Sequence, residues 1–120
     1  MVTVVKRKLT GSTDGYGIVV AATSTPGTLV HTAVAGTTAG TYDEIFIEAQ
    51  NIDITGTYHT LTLEYGGATA TQNIIDVIPA RTGLRLVVNG LLLQDTLTIK
   101  AFADMANKVV IYGYVNAITD

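Results

Sequence analysis

The sequence predicts an all-β chain: a single-domain antiparallel β-sandwich, jelly-roll-like, of about 8–10 short strands. Three observations predict it. Short runs rich in Val, Ile, Leu, Thr and Tyr recur between turn clusters spaced roughly 8–12 residues apart. No stretch keeps a helical apolar period of about 3.6 residues. The 120 residues are enough for one core and too few for two.

Val2 to Leu9 alternates loosely around Lys6-Arg7-Lys8. It reads as an N-terminal arm or first strand (residues 1–10), with the sandwich domain occupying 11–120. GSTDG (11–15) is a turn cluster ending in Asp-Gly, and Tyr16 to Ala22 a short β-rich run. TSTPG (23–27) is a second turn, where Pro26 lacks the N–H a ladder needs. Leu29 to Val34 is a strand containing His31, followed by a loop, AGTTAGT (35–41).

The stretch Tyr42 to Gly67 is read as the centre of the fold. Ile45, Ile47 and Ala49 alternate against Glu44, Phe46 and Glu48. Leu61, Leu63 and Tyr65 then alternate against Thr60, Thr62 and Glu64. Two such runs joined by a short polar segment predict an antiparallel hairpin, with Ile45, Ile47, Leu61 and Leu63 in the core.

Asn73 to Ile78 is a further strand, stopped by Pro79, and ARTG (80–83) is a turn. Leu84 to Val88 alternates up to Asn89-Gly90, a pair suited to a two-residue type I′ turn because both positions take positive φ there. Thr96 to Phe102 places Leu97, Ile99 and Ala101 on one face, and ADMAN (103–107) is a turn. Val109 to Ile118 is apolar on both faces, as expected of a strand central in a covered sheet or part of an interface.

Composition limits the function. Charged residues are 14 % of the chain, against roughly 25 % in ordinary soluble domains, and mean hydropathy is +0.38. No apolar run approaches the ~18–20 residues of a spanning helix, so no membrane partner is predicted. The basic cluster is followed by LTGSTDGYG, which is no signal-peptide core, and synthesis in the cytoplasm is expected. With no cysteine there is neither a disulfide framework nor a thiolate metal site. A net charge of −3 argues against nucleic acid, whose phosphates require clustered cations. A monomer of this size exposes on the order of 6,000 Å². So few charges on that surface predict burial against copies of itself or a larger partner.

Chemistry-bearing residues are sparse. His31 and His59 each stand alone and read as surface or hydrogen-bonded side chains. Asp43, Glu44, Glu48 and Glu64 read as solvated strand-face charges. Across the expected hairpin, Glu48 and Glu64 would meet the roughly 5–9 Å separation of a glycosidase pair, and the solvated reading is preferred. Ser12 and Ser24 lack a neighbouring base or a nucleophile elbow. Asp14, Asp53, Asp95 and Asp104 fall near turns, where capping explains them. No catalytic, cofactor-binding or metal residue is predicted, and no enzyme. The partner-binding candidates are Lys6, Arg7 and Lys8 at the start and Tyr112 and Tyr114 on the last strand. Without tryptophan, a sugar-stacking platform would have to use tyrosines such as Tyr58, Tyr65, Tyr112 and Tyr114.

Taken together, GSTDG, PGTLVHTAVAGT, YDEIFIEAQN, LTLEYGG, GLRLVVNGLLL and IKAFADMANKVVIYGYVNAI resemble small β-sandwich virion proteins encoded in the structural gene clusters of tailed bacteriophages and prophages. The resemblance runs from about Lys8 to Ile118. It implies a head decoration (cement) protein, forming trimers on the capsid exterior and clamping neighbouring copies of the major capsid protein. In that class the N-terminal segment makes the capsid contact, which would give Val2 to Thr10 a role. The alternative is a tail or fibre-associated module that binds host-surface carbohydrate.

Overall fold

Tyr42–Asn51 shows how alternation becomes architecture. In the computed structural model, which describes all 120 residues, Asp43, Ile45, Ile47, Ala49 and Asn51 are buried while the residues between them are half-exposed. The strand is two-faced: one side meets the core, the other looks outward.

Nine strands form, in chain order β1 (Thr3–Lys8), β2 (Ile18–Val19), β3 (Thr28–Thr32), β4 (Tyr42–Asn51), β5 (His59–Tyr65), β6 (Asn73–Ile78), β7 (Arg85–Leu93), β8 (Thr98–Ala103) and β9 (Val109–Thr119). The only helical element is one 3-10 turn, Ala70–Gln72. One sheet runs β1-β9-β4-β7, with β2 also pairing with β9; the other runs β3-β8-β5-β6. All strand pairs are antiparallel. From β2 onward the chain crosses between the sheets at every connection except β5 to β6. That path is a jelly roll.

The crossing overturns the expected hairpin. β4 and β5 lie in opposite sheets, and the true neighbours of β5 are β6 and β8. The expected core survives, because Ile45, Ile47, Leu61 and Leu63 are all fully buried and belong to one core cluster fed by both sheets. Asn51 makes the arch possible. Its Nδ2 donates to the carbonyls of Thr57 and Ile78, each at 2.9 Å, and its Oδ1 accepts from the N–H of Asp53 at 2.9 Å. The chain is thereby turned out of one sheet and into the other.

Asn89-Gly90 is a bulge and not a turn. β7 runs straight through it, and its pairing to β4 steps from Ile45–Leu91 to Phe46–Asn89. Gly90 is the extra residue, at φ +84°, a conformation glycine adopts without penalty. A second shift lies between Ile47 and Glu48.

The first segment is a strand. β1 pairs with β9 from Thr3–Thr119 to Lys8–Tyr114, and all six of its residues are exposed. The basic stretch is an ordered sheet edge, and the next residue, Leu9, belongs to the core. β9 lies inside its sheet, between β1 and β2 on one side and β4 on the other, which accounts for its apolar inner face.

Candidate functional site

Register places most of the expected partner-binding residues on one surface. Lys6 lies opposite Asn116, Lys8 opposite Tyr114, Phe46 opposite Tyr114 and Glu48 opposite Tyr112. All of these point to the outer face of the larger sheet, where no second layer covers them. Arg7, one residue out of phase, points to the inner side with Val115. The structure therefore brings together Lys6, Lys8, Tyr112 and Tyr114, and leaves Arg7 out.

The row is packed edge-on. The rings of Phe46 and Tyr114 stack at 4.8 Å between centroids and 16° between planes. Lys6 Nζ lies 4.2 Å from the Tyr114 centroid, within cation–π range. Because β1 and β4 flank β9 on opposite sides, both faces of Tyr114 are occupied. The Tyr112 ring is crowded by Gly17, where a Cβ would sit 2.7 Å from ring carbon Cζ. The pair offers ring edges and hydroxyls, with Glu48 beside them in a depression of about 230 Å³. It is no stacking shelf for a sugar.

No protein-family model, curated protein or solved structure matches this chain.

Four acidic side chains read from sequence as solvated charges or turn caps are structural anchors. Asp43 shares the inward phase of Ile45 and Ile47, and its Oδ2 lies 2.8 Å from Nε2 of the buried His31. Nδ1 of that ring accepts from the N–H of Thr10 at 3.1 Å, so the ring donates from Nε2 to Asp43. Glu64 is buried beneath the β2–β3 connection, accepting from Thr25 Oγ1 at 2.6 Å and the Gly27 N–H at 2.7 Å. Glu48 and Glu64 belong to opposite sheets, which removes the glycosidase pairing.

At the far end of the sandwich, His59 lies between Asp53 at 2.7 Å and Asp104 at 2.9 Å. Asp53 also accepts from the hydroxyl and N–H of Thr55. The Thr55 hydroxyl, then His59, hold the Asp53 carboxyl below the usual carboxylate range. Asp53, against the opposing effect of burial, raises the His59 pKa, and Asp104 adds to it. The cluster ties the β4–β5 arch to the β8–β9 turn. Asp53 and Asp104 do cap turns, as expected; what spacing did not show is that one imidazole joins them. A usable signal was present for two of these residues: Asp43 and His59 fall in the same two-residue phase as the core residues of their strands.

A second exposed region is the flank where the edges of the two sheets meet. The Arg85 Nε–Asp76 Oδ2 bond of 2.7 Å spans it from β7 to β6. Ile75, Val77, Leu86 and Leu91 on these two strands are exposed, with Glu48 opposite Leu86.

Proposed function

We propose that this protein is a non-enzymatic structural component of a virion, a capsid decoration protein that stabilises an assembled head by binding the major capsid protein on its exterior. One observation carries the reading: an ordered row of cations and aromatic rings on an uncovered sheet face, continuous with the open edge of β1. A free strand edge offers unpaired N–H and C=O groups to a partner, and Lys6 and Lys8 beside it favour an acidic surface. Supporting it, both nitrogens of each histidine are engaged, which leaves neither imidazole free to act as a base. Stabilisation would come by mass action, since a ligand that prefers the assembled shell shifts the equilibrium toward it.

The apolar β6–β7 flank suits a second copy of the chain. Its exposed aliphatic side chains suit a self-interface, which is more apolar than a transient one. The expected assembly is the homo-oligomer, a trimer, implied by the resemblance.

The test uses purified shells and the full chain. Lys6→Glu with Lys8→Glu is expected to weaken shell attachment at least about tenfold while the chain stays folded. Attachment at wild-type affinity would sink the proposal. Separately, native mass measurement is expected to find an oligomer that Ile75→Lys with Leu86→Lys converts to monomer. A wild-type monomer at high concentration would remove the self-interface.

A further inference from the structure

Asp43 is only 5 % exposed, yet just one of its oxygens is used. Oδ2 accepts from His31 Nε2 at 2.8 Å and from the Val34 N–H at 3.2 Å. Oδ1 has no donor within the protein and is not sealed from solvent. It opens into a pocket of about 280 Å³ at the corner between β1, the end of β3 and the inner face of β9. Open to the pocket, this oxygen accepts only from solvent in the free protein. An acceptor kept this way at the floor of a pocket is one that a ligand can satisfy.

The walls define that ligand. Arg7 lines the pocket from β1, and its guanidinium has no carboxylate partner in the chain. Lys8 lines it too, its Nζ donating to the carbonyl of Ser12 at 3.1 Å. The hydroxyls of Thr32 and Thr119 also line the space, with Val115 and Ala117 as an apolar wall. A bare anion would be repelled by Asp43, and a metal cation by Arg7 and Lys8. A hydrocarbon would leave Oδ1 unpaired. A zwitterion would meet the two charges and leave the threonine hydroxyls unmatched. A ligand with one carboxylate beside several hydroxyls satisfies every group. The volume, just under the range of ordinary ligand sites, admits about one sugar ring.

The geometry points to a binding site for an acidic sugar residue, its hydroxyls donating to Asp43 Oδ1 and its carboxylate held by Arg7. Lys8 is shared with the shell-facing edge, so the two functions are separated by Lys6→Glu, outside the pocket, and by Arg7→Gln, on the opposite phase of β1; either function can fail while the other stands.

The full chain, labelled with ¹⁵N, is titrated with methyl β-D-glucuronide and with methyl β-D-glucoside, which differ only in the carboxylate. The glucuronide is expected to produce saturable shifts at residues 7, 10, 32, 43, 117 and 119, with the glucoside binding at least about tenfold more weakly, as befits a lost charge-assisted pair. Arg7→Gln is expected to abolish the difference between the two sugars. Asp43→Asn keeps an acceptor for His31 and Val34 and presents an NH₂ to the pocket, and it is expected to abolish binding of both. Absence of saturable shifts, equal binding of the two sugars, or unchanged glucuronide binding by Arg7→Gln would each overturn the site. Arg7 is exposed, so its variant decides the matter even if Asp43→Asn fails to fold.

Discussion

Nε2 of His59 lies 2.7 Å from Oδ2 of Asp53, and both side chains are shut off from solvent. The other ring nitrogen meets Asp104 at 2.9 Å. An acceptor at each end favours the imidazole that carries both protons, and its pKa is raised accordingly. Below that pKa the β4–β5 arch is pinned by a cationic ring.

Stability should therefore follow pH in a definite direction. The folded-state pKa of His59 is raised above its ordinary 6.5, so its contribution is complete below that value and fades as pH rises through the folded pKa. Asp53 is lowered from 3.8, so its contribution is complete above that value and is lost only in strong acid. Besides Asp104, the other charge acting on the pair is Lys108. Thermal melts from pH 5 to 9 should show the wild-type midpoint falling on the alkaline side. His59→Asn should melt lower at pH 5 and lose that fall. Parallel curves for the two proteins would refute the clamp.

Glu48 and Glu64, in opposite sheets, should behave oppositely. Glu64 accepts from Thr25 and Gly27 through different oxygens, and an amide can accept at only one. Glu64→Gln should cost about 1–3 kcal/mol in urea denaturation, as for a lost hydrogen bond to a buried charge. Glu48→Gln, on the outer face, should stay within about 0.5 kcal/mol. Equal effects would contradict the anchoring of the β2–β3 connection.

Gly90 should be sensitive for a backbone reason. A Cβ there would meet the Phe46 ring at 3.6 Å, ordinary contact, so space is not at issue. The φ of +84° is, and Gly90→Ala should cost roughly 1–3 kcal/mol. Asn89→Ala should change stability by less than about 0.5 kcal/mol. A type I′ turn would make both positions sensitive, so the pair of measurements separates bulge from turn.

These cases mark what could be read from sequence. Alternation assigned the faces of β4, β8 and β9 correctly, because side-chain direction in a strand depends only on phase. It did not assign neighbours. Ile45 and Leu63 enter one core from separate sheets, a relation with the same alternation as a hairpin. Asn89-Gly90 supplies positive φ, which a bulge needs as much as a turn does. Buried carboxylates were missed where the partner is distant in sequence: Glu64 meets Thr25 and Gly27 from the next layer of chain. Lys6, Lys8, Tyr112 and Tyr114 were grouped by residue type, and register put them together; Arg7 was separated by a single step of phase.

The pairing of Thr3 with Thr119 has a mechanical consequence. Both positions lie at one corner, so a load drawn across them peels β1 from β9 one rung at a time and never shears the two sheets. Such unzipping yields at low force, and it leaves intact the seven strands β3 to β9, which hold most of the apolar interior. A tether or reporter joined near either position would emerge at that corner, at the opposite end of the sandwich from the His59 clamp.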